Sequence, residues 1–233
     1  MTRTSASPLP DGVGSQTLDR GLRVLEIVAG ADGLGVGQVA ELAGLHRSIT
    51  YRMVRTLEHR GLVERDGEGR YVAGARLATL ARGVAPTLRG VAAPRLATLA
   101  ERTGRTAFLV VASGDLAVTV HVEEPRTTIA HVAYRPGVQH PLTLGAPGLA
   151  LLAGGPALPG ERQEVARARE RGWAQSHGEV IADYRSCAAP VHDQRGRCVA
   201  AVAVVFVGTD PPSPELAAQV VATAVEVGAA LDP

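Results

Sequence analysis

His46-Arg47-Ser48-Ile49-Thr50-Tyr51-Arg52-Met53-Val54-Arg55-Thr56-Leu57-Glu58-His59-Arg60 carries two helical stripes of opposite character. Thr50, Met53, Val54 and Leu57 recur at the three-and-four spacing of one helical face, while Ser48, Tyr51, Arg52 and Arg55 recur on another. The first stripe suits packing against other helices; the second turns hydroxyls and guanidinium groups to water. Arg47, Arg52, Arg55 and Arg60 share the segment with a single acid, Glu58. It is therefore locally basic, although the 24 basic and 23 acidic residues leave the whole chain at only +1. Every basic residue is Arg, and no Lys occurs.

Upstream, Leu18, Leu22, Leu25 and Val28 share a helical face that stops at Gly30-Ala31-Asp32-Gly33. Val36, Val39, Ala40 and Ala43 mark a shorter helix ended by Gly44, the residue favoured where a helix must turn sharply. Downstream, Gly61 ends the third helix, and Leu62-Val63-Glu64-Arg65 and Arg70-Tyr71-Val72 flank Asp66-Gly67-Glu68-Gly69 as a hairpin. Two short helices, a tight glycine turn, a polar-faced third helix and a hairpin make a winged helix-turn-helix over residues 17–74. An α-helix fits the major groove of duplex DNA and carries side chains to base edges and phosphates. Arg47, Ser48, Ile49, Tyr51, Arg52 and Arg55 are expected to meet DNA, Ile49 through a thymine methyl. Arg65 and Arg70 flank the hairpin tip. They either reach phosphate or a minor groove, or pair with Asp66 and Glu68, and the sequence leaves both open.

Residues 1–16 are rich in Ser, Pro, Gly and Thr and read as a loose tail without a secretory signal. No apolar run approaches the roughly 20 residues of a membrane helix, so a cytoplasmic location is expected. Cys187 and Cys198 are expected to be reduced, as buried or bystander residues. Residues 75–89 read as a linker helix broken at Pro86, and a second domain is expected over 90–233. Its predicted elements are a helix at Pro94–Arg102 and strands at Phe108–Val111, Ala117–Val122 and Thr128–Tyr134. Helices follow at Ala146–Ala153 and Pro159–Arg171, then a strand pair, Ala188–Val191 and Val199–Val207, turned by Asp193-Gln194-Arg195-Gly196. Ser213–Leu231 closes the chain as an amphipathic helix with Pro214 in its first turn. Strands that pair, yield to helices and pair again give an antiparallel α+β domain.

In this order the residues resemble the IclR family of bacterial transcription regulators from about Leu18 to Gly208. Leu18–Glu26 resembles the family's opening helix. Val39–Leu45 with His46-Arg47-Ser48 resembles its helix-turn-helix core, and Leu57–Arg65 the end of its recognition helix and its wing. His140-Pro141-Leu142 with Gly148 and Ala150–Ala153, then Arg171-Gly172-Trp173-Ala174, Glu179 and Ala188–Asp193, resemble its effector domain. The resemblance implies an α+β protein, a winged helix-turn-helix followed by a GAF-like antiparallel α/β effector-binding domain. It implies a sequence-specific regulator, a repressor by expectation, that binds a near-palindromic operator in double-stranded DNA as a homodimer or homotetramer. A small-molecule effector, a carboxylate, an aromatic or a lactone, would modulate it from a pocket at Gly145, Ala146, Ser176, His177, Glu179, Ser186, Ala203 and Val205. Those small residues fit tight sheet packing as well as a pocket.

Four departures stand out. Leu149 replaces the family's usual Lys, Pro147 interrupts a helix start, and Ile49-Thr50 inverts a common order. Ala203 and Val205 replace serines, which favours a ligand less polar than a small dicarboxylate. No G-x-S-x-G elbow occurs, and Gly33-Leu34-Gly35-Val36-Gly37 does not follow a strand. His121, His131, His140, His177 and His192 lack metal-site spacing. Neither catalysis, nor a metal, nor a cofactor is therefore expected. Two rival readings are a winged-helix module that binds protein, and a stand-alone ligand-binding or catalytic α+β domain with a structural N-terminus.

Overall fold

The computed structural model describes residues 14–126, 134–208 and 210–231. The chain divides between Val84 and Ala85 into two compact units. The first contains α1 (Gln16–Ala29), α2 (Val36–Ala43), α3 (Arg47–His59), the antiparallel pair β1 (Val63–Arg65) and β2 (Tyr71–Ala73), and α4 (Arg76–Ala81). Ser15 Oγ accepts from Leu18 N at 3.4 Å, so α1 starts inside the segment expected to be tail. Gly44, at φ +65°, ends α2 in the left-handed region and lets α3 leave in a new direction.

Val24, Val28, Val39, Ala43, Val54, Leu57, Val63 and Tyr71 form the core of this unit. Fully burying a side chain such as Val54 or Leu57 contributes roughly 1.5–3 kcal/mol. The buried stripe of α1 runs through Val24 and Val28, whereas Leu18 and Leu22, expected on the packed face, are 62% and 48% exposed. The hairpin returns tightly under α3, because a Cβ on Gly74 would lie 2.3 Å from the Gly61 carbonyl oxygen.

Residues 75–89, expected as a linker helix broken at Pro86, fall into two separate helices. Helix α4 is short and buries no side chain, and Pro86 opens a new helix, α5 (Pro86–Thr103). Proline lacks an N–H and cannot continue a helix from the preceding turn, but it fits the first turn of the next one. Helix α5 thus begins well before the expected Pro94, which lies within it.

The second unit continues with β3 (Thr106–Ser113), β4 (Leu116–Glu123), β5 (Gln139–Pro141), α6 (Gly145–Ala153), α7 (Gln163–Arg171), β6 (Ala174–His177), β7 (Tyr184–His192), β8 (Cys198–Val207) and α8 (Pro214–Ala229). The strands form one antiparallel sheet in the order β5-β4-β3-β8-β7-β6. Strands β5 and β6 were not anticipated, and the strand expected at Thr128–Tyr134 falls outside the described residues except for Tyr134. Helix α7 starts at Gln163, not Pro159, because Gly160 at φ +76° cannot sit inside a helix.

Strand β8 reads as an unbroken apolar run because both its faces are covered. Ala200, Val202 and Val204 share a core with Leu96 and Leu99 of α5 and Val220 and Val227 of α8, while Ala201, Ala203 and Val205 share one with Leu149 and Ala150 of α6. Leu149, where the family usually has Lys, is fully buried in the second core. Both cysteines are free thiols; burial pushes Cys187 up to about 12 and raises Cys198 as well. No described helix is long and apolar enough to cross a membrane.

Candidate nucleic-acid interface and ligand cleft

Helix α3 has the two faces its spacing predicts. Thr50, Val54 and Leu57 are buried and Met53 packs against that core, whereas Arg47, Ser48, Tyr51, Arg52 and Arg55 are exposed and Ile49 is half-buried. Thr50 Oγ1 donates to the His46 carbonyl at 3.3 Å, so its hydroxyl does not stand unpaired in the core. Ser48 Oγ lies 3.2 Å from His46 Nδ1 at the start of the helix.

The arginines divide into two groups. The side chains of Arg47 and Arg52 make no hydrogen bond or ion pair with any described residue. Arg55 Nη1 donates to Glu58 Oε2 and Arg65 Nε to Glu58 Oε1, each at 3.1 Å. Arg65 also stacks on Tyr71 and donates to its hydroxyl, and the Glu58 bond raises its pKa. Arg70 Nε donates to Asp66 Oδ2 at 2.8 Å, and its Nη1 lies 3.2 Å from Glu68 Oε2. Of the two alternatives for the hairpin, Arg70 thus pairs with the acids at the tip, while Arg65 is taken by Glu58 and Tyr71.

In the second unit a cleft opens between the sheet, the start of α6 and the segment joining β6 to β7. It holds about 350 Å³ of empty space, counting the part that opens to solvent. Register builds one wall: Val205 of β8 pairs with Ser186 of β7, which pairs with Ser176 of β6. Phe108 and Tyr134, with ring centres 4.6 Å apart, supply an aromatic side, and Val180 and Ile181 an aliphatic one.

Gly145 lines the cleft at φ +72°, and a Cβ there would lie 2.8 Å from Val180 Cγ2, so both backbone and space demand glycine. Pro147 falls in the first turn of α6, where the N–H it lacks has no helical partner, so it leaves the helix start in place. Gly145 N donates to Glu179 Oε2 and Ala146 N to Ser176 Oγ, each at 2.8 Å. Arg162 Nη2 donates to Glu179 Oε1 at 2.9 Å, and this bond raises the arginine's pKa. His140 Nδ1 donates to the Pro141 carbonyl at 3.0 Å, and burial holds its pKa below the usual 6.5.

Gly145, Ser176, Glu179, Ser186 and Val205 of the expected set therefore meet at this cleft. Three others do not line it. Ala146 is buried and contributes only its backbone N–H; Ala203 is one step further along β8, fully buried beneath α6. His177 is exposed, since strand alternation turns it from the side taken by Ser176. Phe108, Tyr134, His140, Val180, Ile181 and Tyr184 also line the cleft and were not anticipated as ligand residues. His140 had a signal, lying beside a loop that resembles the family's; the rest are joined by tertiary register. Among the described residues no group of three or more His, Cys, Asp or Glu is placed to hold a metal ion.

A winged helix-turn-helix followed in one chain by an antiparallel α+β unit with a cleft defines a class, the two-domain bacterial transcription regulators. Residues 17–67 match the IclR helix-turn-helix domain and residues 158–227 the C-terminal domain of the bacterial transcriptional regulator IclR. The glycerol operon regulatory protein of Streptomyces griseus is 30% identical over 222 residues, covering 81% of this chain and 84% of that protein. The DNA-binding transcriptional repressor YiaJ of Escherichia coli strain K12 is 27% identical over 219 residues, covering 82% and 78%. The fold is shared with an IclR homologue from Microbacterium hydrocarbonoxydans, solved in complex with 4-hydroxybenzoate, at TM-score 0.75 and 24% identity over 91% of this chain and 97% of that one. The chain belongs to the IclR family of transcriptional regulators and carries its helix-turn-helix DNA-binding domain.

Proposed function

We propose that the protein is a repressor that binds a specific operator and whose hold on DNA changes when a small molecule enters the C-terminal cleft. The observation that carries this reading is on α3, where Arg47 and Arg52 stand in water without a partner on a helix whose other face is locked into a core. Such side chains are available to base edges and phosphates. Arg47, Ser48, Ile49, Tyr51 and Arg52 form the reading face. Arg55, Arg65 and Arg70, engaged with acids of the same unit, hold the hairpin in position and meet backbone phosphate at most.

One recognition helix contacts few base pairs, so two copies set about 34 Å apart on a near-palindromic site supply the specificity. The exposed Leu18, Leu22, Leu80 and Val84 support association of copies into a dimer or tetramer. The relative YiaJ is a repressor, and the aromatic ligand of the Microbacterium homologue supports a ligand with a ring. As a DNA-binding regulator the protein works in the cytoplasm.

Fluorescence anisotropy with the full chain and the duplex upstream of its own gene tests the reading. The expected result is tighter binding than to a scrambled duplex, weakening steeply as salt rises. Absent or salt-insensitive binding would overturn it in favour of a protein-binding winged helix.

A further inference from the structure

The start of α6 would ordinarily attract an anion, because the first backbone N–H groups of a helix are unpaired and carry partial positive charge. Here it is already satisfied from within. Gly145 N donates to the Glu179 carboxylate and Ala146 N to the Ser176 hydroxyl, each at 2.8 Å, and Pro147 has no N–H to offer. Glu179 is braced in turn by Arg162, whose Nη1 also donates to the Thr143 carbonyl at 2.6 Å. The cationic side chains nearest the cleft are thus engaged, Arg162 with Glu179 and Glu164, and Arg185 with the Gly208 carbonyl among its partners.

Two hydroxyls lie side by side on the sheet wall of the cleft. Ser176 Oγ accepts from Ala146 N, which leaves its O–H free to donate. Ser186 donates its O–H to the Val204 carbonyl at 3.1 Å, which leaves its lone pairs free to accept. The two residues are register partners on β6 and β7. A donor beside an acceptor matches a hydroxyl group, which does both, and mismatches a carboxylate, which at neutral pH only accepts. Phe108, Val180, Ile181 and Val205 supply the apolar part of the lining, beside the rings of Tyr134 and Tyr184.

Resting on the reading of this cleft as the effector site, we propose that its ligand is an uncharged molecule bearing a hydroxyl on an aromatic or similarly apolar body, and that Glu179 disfavours the matching carboxylates. A ligand carboxylate at the α6 start would find the Gly145 and Ala146 N–H groups already taken and would lie beside the Glu179 carboxylate, whose one cationic partner among the described residues, Arg162, is shared with Glu164.

Calorimetric titration of the full chain with matched pairs tests this: benzyl alcohol against benzoate, 4-hydroxybenzaldehyde against 4-hydroxybenzoate, and cinnamyl alcohol against cinnamate. The neutral member of a pair is expected to bind about tenfold more tightly or better. Glu179→Gln keeps an oxygen for Gly145 N but removes the charge, and should bring the two members of a pair close to parity. A carboxylate that binds the wild-type chain as well as its neutral partner, or a folded Glu179→Gln variant that still discriminates, overturns the proposal alone. The wild-type comparison decides even where the variant does not fold. Failure of every compound to bind overturns the effector reading itself and the proposal with it.

Discussion

The Arg65 guanidinium lies 4.5 Å from the centre of the Tyr71 ring, and its Nε donates to Glu58 at 3.1 Å. Strand β1 is thereby joined both to β2 and to the last turn of α3, and Glu58 takes Arg55 as well. These side chains tie the hairpin to α3 beside the core that Leu57, Val63 and Tyr71 share.

Arg65→Ala is expected to lower the melting temperature of the protein while changing operator affinity less than loss of Arg52 does. Circular-dichroism melts and anisotropy on the same preparations check this. An unchanged melt with a large loss of DNA binding would make Arg65 a DNA contact first.

Gly74 has no room for a side chain, since a Cβ would lie 2.3 Å from the Gly61 carbonyl oxygen, and both are backbone positions that cannot swing aside. Gly74→Ala should destabilise the N-terminal unit by about 1–3 kcal/mol, the usual cost of forcing extra volume into a packed site. Gly67→Ala, at the open tip of the same hairpin, meets nothing within 4 Å and serves as the control. Urea unfolding of the two variants separates space from hairpin propensity.

Burial holds His140 neutral, with a pKa below 6.5. The unfolded chain therefore takes up this proton first as pH falls. The contribution to stability is complete above pH 6.5 and is lost as pH drops through 6.5 toward the lower folded value. The carboxylates that the fold lowers, among them Glu161 through its bond to Arg169 and Asp193 through the Arg197 backbone N–H, lose theirs only in more acid solution. Melting temperatures measured between pH 7 and 5 should fall more for the wild type than for His140→Gln. Parallel curves would contradict the assignment.

The recognition helix is legible in the sequence because both of its stripes lie within one segment and obey a single period. The long strands β3, β4, β7 and β8 are legible for the same reason, as local runs bounded by turn residues. Strands β5 and β6, of three and four residues, are too short for a pattern to rise above their surroundings. The cleft is legible only in part. Gly145, Ser176, Glu179, Ser186 and Val205 can be read from the family resemblance, but no period along the chain links Phe108 to Tyr134 or brings Val180 and Ile181 to them. The exposed Leu18 and Leu22 mark another limit, since spacing defines an apolar face without saying how far along the helix a neighbour covers it.

If the exposed face of α3 holds DNA through Arg47 and Arg52, as proposed, titrating Arg47→Ala and Arg52→Ala against an operator duplex will show it. Each variant should keep its circular-dichroism spectrum and oligomeric state and lose about 1–3 kcal/mol of binding. Undiminished affinity in a folded double variant would contradict the account.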